Sequence, residues 1–198
     1  MKENRKGDIF MSLVNTPSGN RLHIGIFGKR NSGKSSLLNA ITGQEIALVS
    51  EVKGTTTDPV SKAMEIHPIG PCLLIDTAGF DDTGDLGNMR IEKTKAVLDK
   101  TDVAVVVFSD MQMELETQWI AMLRQRKIPI LAVVNQVDRI EQAQEIKRQI
   151  EQRFSLTPLL VSAKEKTGIS QMKHEILRLM PPDFEAQSLT GSLVQPED

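Results

Sequence analysis

One octapeptide limits what this chain can fold into more than any other stretch: Gly28-Lys29-Arg30-Asn31-Ser32-Gly33-Lys34-Ser35. A short apolar run, Leu22 to Phe27, precedes it, and the helical pattern Ser36 to Thr42 follows. The spacing G-x-x-x-x-G-K-S between strand and helix is that of a phosphate-binding loop. Two glycines let the backbone wrap so that its N–H groups point inward at phosphate oxygens, and the helix start adds a positive dipole end. Asn31, Ser32, Gly33, Lys34, Ser35 and Ser36 are therefore the expected phosphate-site residues. Lys34 is expected to reach the β- and γ-phosphates, and the Ser35 hydroxyl to bind Mg²⁺.

A strand feeding such a loop demands βαβ units, and the remaining pattern supplies them. Cys72–Ile75, Val103–Phe108, Ile130–Val134 and the shorter Leu159–Val161 are apolar runs of the kind found in strands buried on both faces. Between them lie amphipathic helical stripes. Ala143, Ile146, Ile150 and Phe154 form one, Ile169, Met172, Ile176 and Leu179 a second, and Leu115, Trp119 and Met122 a third. Ser61 to His67 precedes Leu73 across only a Pro-Gly-rich turn, so that strand must be antiparallel. The expected fold is α/β: a P-loop NTPase with a doubly wound, mostly parallel six-stranded sheet, one antiparallel strand, and helices on both faces. The expected organisation is a flexible segment over 1–20, one nucleotide-binding domain over 21–182, and a linker or the start of a further domain over 183–198.

Composition excludes several alternatives. The formal net charge is −2, so a whole-domain basic field for nucleic acid is absent. Cys72 is the single cysteine, which excludes a disulfide or a cysteine-bound metal cluster within the chain and suggests a cytoplasmic protein. The charged opening lacks the apolar segment of a signal peptide, and no apolar stretch is long enough for a membrane span.

The other motifs address the γ-phosphate and the base. Asp76-Thr77-Ala78-Gly79 follows a buried strand, where a carboxylate for Mg²⁺ is expected, and the Gly79 N–H can approach a γ-phosphate because no Cβ intervenes. Gly54-Thr55-Thr56-Thr57-Asp58-Pro59 lies between the two motifs. Thr56 is the expected switch ligand to Mg²⁺, with Thr55 the alternative. Asn135-Gln136-Val137-Asp138 and Ser162-Ala163-Lys164 both end strands, where ligands bind in doubly wound sheets. Asp138 can accept from the ring N–H and exocyclic amine of guanine, a donor pair adenine lacks. The Ala163 N–H can donate to the guanine carbonyl, and Asn135 can tie the two segments together. Gln136 stands where most guanine-nucleotide switches carry Lys, which predicts weaker binding and no change of base.

Together these segments resemble the translation-factor-related GTPases, in the branch of tRNA-modification and ribosome-assembly GTPases. The pointers are Asn31 to Asn39 and Gly54-Thr55-Thr56. Asn20 to Gly28, Gly54 to Val60, Asp76 to Gly87 and the tail Leu189 to Pro196 more narrowly resemble the HydF family of FeFe-hydrogenase maturation GTPases. That resemblance implies GTP/GDP, Mg²⁺ and K⁺ as cofactors, with Asn31 a K⁺ ligand. It implies Asn31, Lys34, Thr56 and Gly79 as catalytic residues and slow intrinsic turnover, since Phe80 stands where other switches carry a water-orienting Gln. It also implies dimerisation and cluster-binding domains, hydrogenase and other maturation factors as partners, and a possible G-domain homodimer. Iron–sulfur binding has no match in this chain, and neither nucleic acid nor membrane is an expected partner. The alternatives are a GTPase of the ribosome-assembly or tRNA-modification type, or a nucleotide-gated binding module with little turnover.

Overall fold

The structure is a computed structural model and describes residues 21–42, 49–52, 61–77, 87–182 and 184. In chain order the elements are β1 (Leu22–Gly28), α1 (Lys34–Thr42), β2 (Val49–Val52), β3 (Ser61–Ile66), β4 (Gly70–Asp76), α2 (Gly87–Leu98) and β5 (Val103–Phe108). They are followed by α3 (Glu114–Gln125), β6 (Ile130–Val134), α4 (Ala143–Phe154), β7 (Leu159–Leu160) and α5 (Ile169–Leu179).

The strands form one sheet in the order β2-β3-β4-β1-β5-β6-β7. β1 pairs in parallel with β4 and β5, and the parallel ladder continues through β6 to β7. β3 is antiparallel to both β2 and β4, which makes it the one reversed strand, as its short link to β4 required. The sheet has seven strands where six were expected. The extra one is β2, whose Val-Ser-Glu-Val carries too little apolar sequence to register as a strand and which pairs only at the sheet edge.

Both faces of the sheet are covered, and the period-2 alternation of the strands sorts their side chains between them. Leu22, Ile24, Ile26, Val103, Val105, Val107, Leu131 and Val133 face one core, closed by Leu37, Leu38 and Ile41 of α1 and Ile169, Met172 and Ile176 of α5. Phe27, Ala104, Val106, Phe108, Ala132 and Val134 face the other, closed by α2, α3 and α4 through Val97, Trp119, Ile120, Ile146, Ile150 and Phe154. All six residues of β5 are buried, which is why its sequence reads as an unbroken apolar run. Trp119 belongs to this core, its ring 6.2 Å from that of Phe27. Packing extends two residues beyond the expected domain end, because Phe184 lies against the first core. Cys72 is buried there too, and burial pushes its thiol well above the usual range.

Register fixes what meets at the carboxyl edge. Ile26 pairs with Asp76, Gly28 with Val107, Phe108 with Val134, and Val134 with Leu160. The loops after β1, β4, β5, β6 and β7 therefore emerge side by side. After β1 the chain builds toward one edge of the sheet, and from β5 toward the other. The β1/β5 boundary is thus the topological switch point, where ligands bind in open α/β sheets.

Candidate functional site

The loop after β1 wraps around the first turn of α1. Asn31 and Gly33 take positive φ, 62° and 81°, and reverse the chain so that α1 opens at Lys34 toward the loop interior. Gly33 is required twice over. Its φ is one that side-chain-bearing residues rarely adopt, and a Cβ there would lie 2.5 Å from Asn135 Nδ2. Lys34 is buried, and its ammonium donates to the Gly28 carbonyl and, at 2.8 Å, to the Lys29 carbonyl. The ammonium is thereby held inside the loop. Ser32 is buried with its hydroxyl against Gly28, so it can offer the site only its backbone.

Ser35 is exposed in the first turn of α1, and Asp76 is half-buried at the end of β4, beside β1. A hydroxyl and a carboxylate are hard oxygen donors, the set Mg²⁺ takes when phosphates complete its shell. Thr77 fastens this corner: its hydroxyl and its N–H both donate to the Ile26 carbonyl, at 2.7 and 3.3 Å. Thr55, Thr56, Ala78 and Gly79 lie outside the described residues.

Asn135 joins the phosphate loop to the segment after β7. It is fully buried, and its Nδ2 donates to the Ser32 carbonyl at 3.0 Å and the Gly33 carbonyl at 3.4 Å. Its Oδ1 accepts from the Ala163 N–H at 3.3 Å. The expected tie is present, and it reaches further than expected, into the phosphate loop. Gln136, at φ 62°, donates through Nε2 to the Asn31 carbonyl at 3.0 Å. The side chain that stands in place of the usual Lys therefore clamps the crest of the loop.

Asp138 is exposed, so its carboxylate is open to a ligand. The Ser162 hydroxyl donates to Asp138 Oδ1 at 2.6 Å, and that bond is the main reason its carboxyl sits below the usual range. Ser162 is itself fixed by a reciprocal backbone pair with Thr167, both bonds 3.1 Å, and its Oγ accepts from the Glu165 N–H. Lys164 is exposed and pairs with its neighbour Glu165, at 3.7 Å.

Comparison with known proteins decides the family. The family model described as 50S ribosome-binding GTPase matches residues 23–136, a span that runs from β1 through the phosphate loop to Gln136. The chain belongs to that GTPase family. GTPase Der of Wolinella succinogenes is 33% identical over 172 residues, covering 80% of this chain and 36% of Der. The tRNA modification GTPase MnmE of Bordetella petrii is 38% identical over 162 residues, covering 80% of this chain and 33% of MnmE. Among solved structures, Era in complex with MgGDPNP and nucleotides 1506–1542 of 16S ribosomal RNA matches with a TM-score of 0.63 at 25% identity, covering 80% of this chain and 56% of Era. The chain spans about a third of the length of the curated relatives it matches.

This GTPase domain also contains contacts that motif reasoning passed over. Lys29, a variable position of the loop motif, extends its ammonium to Asp110 Oδ1 at 2.6 Å and to the Gln112 carbonyl, in the loop after β5. Behind that loop is Glu116, in the first turn of α3 and fully buried. The signal for Glu116 was available. The buried face of α3 is Glu116, Trp119, Ile120 and Leu123, an i, i+3, i+4, i+7 stripe. The expected stripe through Leu115 and Met122 lies one position off that centre, and those two side chains are only partly buried.

Proposed function

We propose that this chain is a GTP-binding and GTP-hydrolysing switch domain of the ribosome-assembly or tRNA-modification type. The observation that carries the proposal is the side chain of Asn135, bonded at once to Ser32 and Ala163. It makes one site of a loop suited to phosphates and two segments suited to guanine. In this reading the loop N–H groups and Lys34 take the phosphates, and Ser35 with Asp76 holds Mg²⁺. Asp138 and the Ala163 N–H read the base, and Thr56 and Gly79 sense the γ-phosphate. Asn31 presents an exposed side-chain amide on the loop crest, an oxygen donor for K⁺ beside the phosphates. The phosphoryl group leaves GTP for a water, and charge neutralisation by Lys34 and the bound cations lowers the barrier.

The relatives favour this reading over hydrogenase maturation. The family description and the name of MnmE support the ribosome and tRNA branch, whereas the maturation reading rests on sequence resemblance at Asn20 to Gly28, Gly54 to Val60, Asp76 to Gly87 and the tail, all but the first mostly outside the described residues. The expectation that nucleic acid is not a partner loses its support as well, because Era is known in complex with 16S ribosomal RNA. An RNA-bearing particle is the partner class we propose, reached through parts of the protein beyond this domain or through its nucleotide-dependent surface.

The test is nucleotide affinity and turnover on the purified chain. GTP is expected to bind on the order of a hundredfold or more tighter than ATP, with hydrolysis faster in K⁺ than in Na⁺. Equal affinities would overturn the guanine reading. Tight GTP binding without hydrolysis in either salt would leave a nucleotide-gated binding module instead.

A further inference from the structure

Glu116 has no exposed surface, and among the described residues neither of its carboxylate oxygens has a hydrogen-bond partner within bonding geometry. Buried polar atoms are nearly always satisfied, so a carboxylate orphaned at both oxygens calls for an explanation. The nearest cation is Lys29, whose Nζ lies 3.8 Å from Glu116 Oε1, too far for a hydrogen bond. Lys29 is instead held by Asp110, on the more exposed side of the same loop, at 2.6 Å. Its ammonium thus sits between two carboxylates, bonded to the outer one and within a short shift of the inner one.

What Lys29 does with its backbone makes this matter for the nucleotide. The Lys29 carbonyl accepts from Lys34 Nζ at 2.8 Å and from the Ser32 N–H at 3.2 Å. Any pull on the Lys29 side chain is therefore transmitted, within one residue, to the lysine that meets the phosphates. We propose that Glu116 is a positioning residue for the phosphate loop: in its ionised form it draws Lys29 inward from Asp110 and so fixes the carbonyl that aims Lys34.

The environment makes that charge conditional. Among the described residues, the charged groups facing Glu116 are Lys29 from the phosphate loop, Asp110 from the loop after β5, and Glu114 from its own helix. Burial is the largest influence and pushes the Glu116 carboxyl up to about 7; its own backbone N–H and then Lys29 oppose the rise, and the two acids add to it. The inner acceptor is therefore half-populated near neutrality. Above that pH Lys29 has two anionic partners, and below it only Asp110.

The inference rests on the nucleotide reading above, and one experiment separates the two. Release of a fluorescent GDP analogue is followed with Mg²⁺ from pH 5.5 to 8.5, for the wild type, Glu116→Gln, Lys29→Met and the double variant. Wild-type release is expected to slow on the order of fivefold as pH rises through neutrality. Both single variants should lose that slope, and the double variant should behave as Lys29→Met alone. Asp110→Asn keeps Glu116 intact and should steepen the slope, because Lys29 then relies on the inner acid. An unchanged slope in Lys29→Met or Asp110→Asn would overturn the inference, as would an effect of Glu116→Gln that persists in the Lys29→Met background. Failure of the wild type to bind the analogue at any pH would overturn both readings, and is distinguishable from binding with an unaltered slope.

Discussion

Asp138 and Glu116 are both carboxylates close to the carboxyl edge of the sheet, and the fold handles them in opposite ways. Asp138 is exposed at the end of its loop, with one oxygen bonded to the Ser162 hydroxyl, which keeps it ionised at any ordinary pH. Glu116 is sealed beneath the loop after β5 with no side-chain donor bonded to either oxygen among the described residues, and burial brings its titration to about 7. A carboxylate kept charged and reachable suits an incoming ligand that brings its own donors. A carboxylate kept dry and unsatisfied suits an internal contact whose strength depends on conditions. On the readings proposed above, the contrast separates a group that reads the base from a group that adjusts the phosphate loop.

The most drastic way to break the comparison is to remove the reader. Asp138→Ala deletes the acceptor for both guanine donors while leaving the phosphate loop and Lys34 untouched. GTP affinity should fall on the order of a hundredfold or more, and the preference over ATP should nearly vanish. Competition binding with GTP, GDP and ATP measures this. A retained guanine preference would assign base reading to other groups, such as the Ala163 N–H, and dissolve the contrast.

A second test sharpens the other half, through folding stability alone. The Glu116 carboxyl is raised from 4.5 to about 7 in the folded protein, so the folded state binds its proton more tightly than the unfolded state does. The associated stability is fully present below about pH 4.5 and is lost as pH rises to about 7, with a total on the order of 3 kcal/mol. Glu116→Gln removes the titration. Its buried amide has a cost of its own, but one that does not vary with pH. The melting temperature of the variant relative to wild type should therefore climb by several degrees between pH 4.5 and 8. A constant difference across that range would show that Glu116 has an ordinary pKa, and the proposed adjustment of Lys29 would lose its physical basis. A stability gain on removing a native acid is what a group retained for function predicts.

The two sites also differ in how much of them could be read from sequence. Asp138, Asn135, Lys34 and Gly33 stand at fixed offsets within motifs whose chemistry dictates the residue type, and the strands before them are unbroken apolar runs. The parallel core and the reversal of β3 followed from run lengths and one short turn. Glu116 belongs to no motif, and a Glu in the first turn of a helix ordinarily faces water beside the helix dipole. Only the pairing of β5 with β1 carries Asp110 and α3 up against Lys29, a long-range relation that no local pattern encodes. β2 escaped for the converse reason: four residues at a sheet edge carry too little apolar sequence to stand out.

The smallest expected effect lies between the two carboxylates in the chain of contacts, at Gln136. Its Nε2 bond to the Asn31 carbonyl links the base-reading segment to the crest of the phosphate loop, over 3.0 Å and in an exposed setting. An exposed neutral hydrogen bond contributes about 0.5–1.5 kcal/mol, so Gln136→Ala should weaken GTP roughly threefold to tenfold. Gln136→Lys replaces the amide by a longer stem and an ammonium that can reach the same carbonyl. Charge-assisted bonds are stronger than neutral ones, and the stem adds contact with the base, so this variant should bind GTP a few-fold tighter than wild type, on the order of 1 kcal/mol or less. The base preference should not change in either, because Asp138 and Ser162 remain in place. Isothermal titration with GTP and ATP measures all of these. If Gln136→Lys binds no tighter than Gln136→Ala, the contact with Asn31 contributes nothing to the nucleotide site. The link from reader to loop would then run through Asn135 alone.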